Sequence, residues 1–472
     1  MINFYFDRII DGVHIPNGIS ENFVKYYTPF FNCVKFRQEQ GVEPPVYPSD
    51  LRRGDLCSLK SIDTLNKNEK DFSGYYLIEG FGSAQNAMGV NPETKDKYKV
   101  VFNYIKQDTL KFLQNGTLTL CVCYIQESFV TDNIIHSIHY NTKKLNIQNS
   151  IVIVNDFLVE ERYKTWCEEN NEEPRFKTIV FCHSLYEKSY EIYELQKSKQ
   201  VYDMASDYQQ HKSSAMTLEE FKDTKSILRK NTILSMNRRQ REHRLATLCV
   251  LNHYGLLKGN GVSYQLTFDG PTTPYYVDKL ITDESRQKKY YQDYRELQNM
   301  KYQWVDYPIA MEAKDGIHHG YGWENCKPYM DSYFSVVTET DFTNPTGYVS
   351  EKLWKPISFF QPFILVGNPG SLKFIKEFGF KTFSPLIDES YDEETNAMHR
   401  FAMIESEMVR LGKMSKEDIH TWYWYMEDIY THNYNLFMDS AKNYNNFNKE
   451  FLSVLKDTDK SFTFIPEFRR KK

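Results

Sequence analysis

FSVVTETDFTNPTGYVSEKLWK (Phe334–Lys355) places an apolar run, Phe334 to Val337, directly before Thr338 and Glu339. Asn344-Pro345 and Gly347 then supply turn chemistry, and Ser350-Glu351-Lys352 opens a predicted helix. Short apolar runs bounded by turn residues read as buried parallel strands. Ligands of open α/β sheets bind where such strands end and helices begin. Two carboxylates and a lysine gathered there predict a binding site; the bland alternative is that Glu351 and Lys352 form a solvated first helical turn.

Working outward, strands and helices alternate along both halves of the chain. Ile2 to Phe6, Tyr75 to Ile78, Leu118 to Ile125, Ile151 to Val154 and Thr178 to Cys182 read as short buried strands, separated by polar-periodic stretches such as Asp132 to Leu145 and Leu158 to Glu169. A polar stretch from Leu195 to Lys230 is the predicted junction. A second series follows at Thr232 to Met236, Val262 to Leu266, Phe334 to Val337, Phe363 to Val366 and Lys381 to Phe383. This is the βαβ rhythm of parallel sheets. The tail from Ser415 to Lys472 is helical in pattern, with dense aromatics between Trp422 and Tyr434.

A second constellation is Leu234-Ser235-Met236-Asn237-Arg238-Arg239-Gln240-Arg241-Glu242-His243-Arg244. A predicted strand ends at Met236 and a helix starts near Gln240, with Leu245, Leu248, Cys249 and Leu251 on its inner side. Arginines at such a turn can grip a diphosphate bidentately, and the first N–H groups of the helix add partial positive charge. A basic solvated helix start, or a patch docking another domain, would also fit these residues.

The stretch around Glu339 resembles the donor-binding motif of the fucosyltransferases: a strand ending in glutamate, then Tyr, an aliphatic residue, Ser or Thr, Glu-Lys and a helix. Here Glu339 is followed by Tyr348, Val349, Ser350, Glu351 and Lys352, and Pro362 to Gly367 matches the next strand of that pattern. The C-terminal half also resembles a group of phage and large-virus proteins classed as glycosyltransferases, through Phe380, Asp388 to Asp392 and Arg400. The resemblance implies an α/β, GT-B-like fold of two Rossmann-like domains facing a cleft, with a helical tail. Residues 1–225 would then be the acceptor-side domain, 226–440 the nucleotide-sugar domain and 441–472 a tail crossing back. The implied activity moves a sugar from a UDP- or GDP-sugar to a glycan, lipid, protein or modified nucleobase, with no cofactor required. Asn237, Arg238, Arg239, Arg244, Thr338, Glu339, Tyr348, Ser350, Glu351 and Lys352 form the implied donor site. In it Arg238, Arg239 and Lys352 hold the diphosphate, and Glu339 and Glu351 take ribose or sugar hydroxyls.

An inverting transfer needs a base for the acceptor hydroxyl proton. In a two-domain cleft it would come from a strand end of the N-terminal half, where Glu127, Asp156 and Glu79 qualify, with Glu127 ranked first. A retaining reaction would need no such base. The rival reading is a catalytically silent carbohydrate- or nucleotide-binding viral structural protein that has kept the fold.

Composition sets the outer bounds. A chain of 472 residues exceeds one ordinary core and fits two domains. A hydrophobic share of 41% with 26% charged residues is globular. The net charge of -5 gives no global cationic field, which disfavours DNA as acceptor. No secretory signal and no apolar run near 18 residues stands out, which points to a cytoplasmic, host-cytoplasmic if viral, protein without a membrane span. The 8 cysteines lack CxxC pairing and read as reduced and structural. Asn115-Gly116-Thr117 reads as a turn before a strand, not a used glycosylation sequon. No metal is expected: DESYD (Asp388–Asp392) has the wrong spacing, and His318-His319 beside Asp315 is a weak ligand set. Gly367-Asn368-Pro369-Gly370-Ser371 resembles a phosphate-cradling loop only loosely, Ser371 serving equally as an N-cap.

Overall fold

A computed structural model describes residues 2–6, 57–61, 73–79, 102, 105–124, 130–198, 215–237, 241–264, 292–293, 297, 326–343, 346–384, 386–443, 450–455 and 459–465. The chain divides into two units: Met1–His183 with Thr346–Tyr348 and Asn443–Lys472, and Ser184–Pro345 with Val349–Lys442. The second unit thus begins well upstream of residue 226.

The first unit is built on a sheet of 7 strands in the order β2-β1-β3-β4-β5-β6-β11. Its strands are β1 (Ile2–Phe6), β2 (Cys57–Ser61), β3 (Gly74–Glu79), β4 (Leu118–Tyr124), β5 (Ser150–Val154), β6 (Lys177–Val180) and β11 (Phe462–Thr463), and every pairing is parallel. Parallel strands are covered on both faces, so they require continuous apolar runs rather than alternation. Accordingly every residue of β5 is buried, as is nearly all of β4. Helix α1 (Gln107–Gln114) leads into β4 through Gly116, whose φ of 79° suits glycine, and the Asn115 side chain accepts from Thr117 N–H at 3.0 Å. The Asn-Gly turn expected from the sequence is therefore present. Helix α2 (Asp132–Lys144) buries Ile134, Ile135 and Ile138, and α3 (Val159–Glu169) buries Val159, Tyr163 and Cys167 at i, i+4 and i+8. Cys121 and Cys123 are buried and unbridged. β11 is a two-residue strand in a tail whose sequence reads as helical, and it extends the sheet beside β6.

The second unit carries a sheet of 4 parallel strands in the order β8-β7-β9-β10. These are β7 (Asn231–Asn237), β8 (Gly261–Tyr264), β9 (Ser332–Thr338) and β10 (Phe363–Val366). Every residue of β9 and β10 is buried. Helices α4 (His183–Ser198), α5 (Leu218–Lys222), α6 (Glu242–His253), α7 (Lys327–Met330), α8 (Glu351–Ser358), α9 (Ser371–Glu377), α10 (Ala397–Gly412), α11 (Lys416–Trp424) and α12 (Glu427–Lys442) accompany it. Trp354 of α8 and Tyr423 and Tyr430 of the aromatic tail are fully buried. No helix among the described residues is long and apolar enough to cross a membrane.

Two expectations fail here for local reasons. Lys381 to Phe383 is not a strand, because side chains take its backbone groups: Lys381 N–H donates to Asn433 Oδ1 at 2.8 Å, Phe383 N–H to Glu389 Oε1 at 2.6 Å, and Asn433 Nδ2 donates to Lys381 O at 2.8 Å. Ser371 is not the cap of α9. Gly370 occupies that position at φ 78°, and the Asp392 carboxylate accepts Leu372 N–H and Lys373 N–H, both at 3.0 Å. A carboxylate already fills the place a phosphate would take.

Candidate functional site

The chain lays down β7, steps outward to β8, then returns to the other side of β7 to make β9 and β10. The crevice at the carboxyl ends of β7 and β9 is therefore the point where strand order reverses, the general location of ligand sites in such sheets. β7 ends at Asn237 and β9 at Thr338. Thr338 Oγ1 donates to Asn237 Oδ1 at 2.7 Å, and Asn237 Nδ2 donates to Ser235 Oγ at 3.0 Å, which fixes the amide.

Glu339 continues β9, its N–H donating to Val366 O at 2.9 Å. Its carbonyl accepts His243 Nε2 at 2.8 Å and Arg244 Nη2 at 3.0 Å, both from the first turn of α6. Arg244, one of the expected donor-site residues, thus spends this nitrogen on the strand end. His243 stacks on Phe342 with ring centroids 5.6 Å apart, and burial, with Arg244 next to it, drives its imidazole down to about 3. It is a neutral donor at any physiological pH.

The Glu339 carboxylate is buried and turned inward. Oε1 accepts Ser350 N–H at 3.1 Å, and Oε2 accepts Ser350 Oγ–H at 2.5 Å and Thr340 N–H at 3.2 Å. Burial raises its pKa against the pull of Lys352 and Ser350. Ser350 is also the N-cap of α8, accepting Lys352 N–H at 3.2 Å. One hydroxyl therefore joins the strand end to the helix start.

Glu351 and Lys352 follow, with Glu351 Oε1 and Lys352 Nζ 3.0 Å apart and both side chains partly exposed. Burial alone would push the Glu351 carboxyl up, but the ammonium groups of Lys352, Lys355 and Lys188 outweigh it and hold it at about 2. Lys188 lies buried on α4. One turn earlier on that helix, Ser184 Oγ donates to Val349 O at 3.2 Å and accepts from Trp354 Nε1 at 2.9 Å, so α4 is packed against the start of α8. A folded-state pKa below the usual value means that stability from Glu351 is complete above about 4.5 and is lost as pH falls towards 2, some 3 kcal/mol in all. Glu351→Gln should accordingly show a smaller loss of unfolding free energy than wild type between pH 4.5 and 2.5, read by denaturant titration at each pH.

Of the expected donor residues, Asn237, Arg244, Thr338, Glu339, Ser350, Glu351 and Lys352 fall in the second unit around this crevice. Tyr348 falls in the first unit, bridged to Asp156. Arg238 and Arg239, which directly follow β7, lie outside the described residues, as do Glu127, Asp315, His318 and His319. In the first unit, Glu79 ends β3, with Cα register Glu79↔Cys123 and Cys123↔Ile153 across β4 and β5. Glu79 and Asp156 thus belong to the carboxyl edge of the same sheet, on β3 and just after β5. Asp156 is fully buried and its pKa is raised by burial, against Arg162, to about 6.

The DESYD acids have structural partners. Asp388 accepts Ser390 N–H and Oγ–H at 3.0 and 2.6 Å, and Glu389 holds Thr382 Oγ1 at 2.6 Å and faces Lys376 Nζ at 3.4 Å. Arg400, named by the virus-like pattern, is buried, donates to Gly367 O, Glu394 O and Phe342 O, and stacks on Phe342 at 4.4 Å.

No protein-family model, no curated protein and no solved structure matches the chain.

Proposed function

We propose that the chain is a glycosyltransferase of GT-B type that uses a nucleotide sugar, most simply a UDP- or GDP-sugar, with its donor site at the switch point of the second unit. The supporting observation is that Glu339, Ser350 and Lys352, three residues of the fucosyltransferase-like motif, are joined by hydrogen bonds at the crevice where a parallel sheet takes its ligand. The charge of that crevice suits a diphosphate. Lys352, Lys355 and Lys188 surround Glu351, and Arg241 and Arg244 stand near His243.

In this reading Lys352 holds the diphosphate together with the arginines that follow β7, and Glu351 sets the Lys352 ammonium. Glu339 acts by positioning, because both of its oxygens are committed to Ser350 and Thr340. The acceptor oxygen bonds to the anomeric carbon as the bond from that carbon to the phosphate oxygen breaks. In an inverting transfer the hydroxyl proton passes to a general base, and the nucleoside diphosphate leaves with the bond electrons. Preorganised cations are what stabilise such developing charge.

The test is release of nucleoside diphosphate from UDP- and GDP-sugars by the purified protein, with and without EDTA. Slow donor hydrolysis is expected in both conditions. Donor binding without any release, across acceptors, would favour a silent binding module, and complete metal-reversible loss with EDTA would require a coordinated ion.

A further inference from the structure

Residues Thr346–Tyr348 cluster with the first unit, although Pro345 and Val349 on either side cluster with the second. Three contacts clamp this short piece onto the end of β5. Gly347 N–H donates to Asp156 Oδ1 at 2.8 Å, Phe157 N–H donates to Gly347 O at 2.7 Å, and Asp156 and Tyr348 form an antiparallel bridge. There is no room for a side chain at the centre of the clamp. A Cβ on Gly347 would fall 2.6 Å from the Phe157 ring and 2.7 Å from Leu158 Cγ. The Asp156 carboxylate is fully used: Oδ1 also accepts Leu158 N–H at 3.0 Å, and Oδ2 accepts Arg162 Nη2 at 2.6 Å. Arg162 in turn is held by Val130 O and Asp132 Oδ1, both at 2.6 Å.

We infer that Asp156 is a positioning residue: it fastens the backbone at Gly347, in the segment that directly precedes Ser350, whose hydroxyl ties Glu339 to the start of α8. A general base must reach the proton it removes. The Asp156 carboxylate has no exposed surface, and its oxygens already face Arg162, Gly347 and Leu158. Its place at the carboxyl edge of the sheet, which makes it look like a base in the sequence, instead makes it the anchor for a strap. The consequence for donor affinity rests on the glycosyl-transfer reading; the consequence for backbone mobility does not.

The experiment is hydrogen exchange on the full chain, comparing wild type with Asp156→Ala, Asp156→Asn and Gly347→Ala. Peptides covering residues 346–352 report the strap, and peptides covering β4 (Leu118–Tyr124) serve as the control. Asp156→Ala should speed strap exchange by roughly tenfold or more, the consequence of losing one well-made hydrogen bond, and leave β4 unchanged. Asp156→Asn keeps an acceptor oxygen for Gly347 and Leu158 but loses the charged partner of Arg162, so it should lower stability while slowing strap exchange relative to Asp156→Ala and, if the donor reading is right, keep UDP or GDP binding and turnover. Should Asp156→Ala fail to fold, Gly347→Ala carries the same expectation while leaving the carboxylate and Arg162 in place. Unchanged strap exchange in whichever of these two folds overturns the inference. So does Asp156→Asn with wild-type exchange and wild-type nucleotide binding but no turnover, because that result returns Asp156 to the role of base. Fast strap exchange in Asp156→Ala together with no nucleotide binding in wild type would keep the clamp and remove the donor reading.

Discussion

Between pH 7.5 and pH 5 wild type should lose about 2 kcal/mol more unfolding free energy than His243→Gln, measured by denaturant titration at the two pH values. The sign follows from the burial of a base. His243 folds into a site that holds its pKa at about 3 against an ordinary 6.5, so the unfolded chain binds the extra proton through that interval. Stability from the neutral ring is complete above about 6.5 and falls as pH drops towards 3, reaching about 5 kcal/mol at the acid end. Glutamine retains a donor for Glu339 O, so the variant isolates the charge from the hydrogen bond. Parallel pH dependence in the two proteins would mean that His243 is solvated in the folded chain.

Glu339→Ala should be among the most damaging single changes in the second unit. It strips the acceptors from Ser350 N–H, Ser350 Oγ–H and Thr340 N–H in a buried place. Donors left unpaired in such surroundings cost about 1–3 kcal/mol each, so a loss on the order of 3 kcal/mol or more is expected. The loss should be local in its first consequence. The α8 cap loosens, and on the donor-site reading nucleotide binding falls further than global stability alone accounts for. Glu339→Gln keeps one acceptor oxygen and should retain part of both. A melting temperature within a degree or two of wild type in Glu339→Ala would show that the strand end and the helix start are not held together through this carboxylate.

The sheets were legible because parallel strands need no subtlety. Val336-Val337 and Phe363 to Val366 are buried throughout, and a run of that kind stands out from any helical pattern. β11 was not legible, since two residues carry no period and its pairing with β6 is made far along the chain. Phe383 looked like part of a strand because it is apolar and buried, but the sequence does not say that Glu389 and Asn433 would take the backbone groups around it. The candidate site was legible in its local part. Glu339, Ser350, Glu351 and Lys352 lie close in sequence on a strand end and a helix start, where spacing alone suggests a site. Lys188, Ser184, His243 and the Arg162 partner of Asp156 reach their places through tertiary packing. Of these only His243 had a signal, as a histidine in the first turn after a strand end. Carboxylates gave the least reliable reading, because the same strand-end position suits a base, a cap or an anchor: the Asp156 carboxylate, just after β5, accepts Gly347 N–H and Leu158 N–H.

The most direct measurement is calorimetric binding of UDP and GDP, and of their sugars, to wild type and to Lys352→Ala. The donor-site reading predicts saturable binding of at least one of them to wild type and an affinity lower by about 10- to 100-fold in the folded variant, the worth of one charge-assisted contact to phosphate. Equal affinity in wild type and Lys352→Ala, or no binding of any nucleotide to wild type, would contradict it.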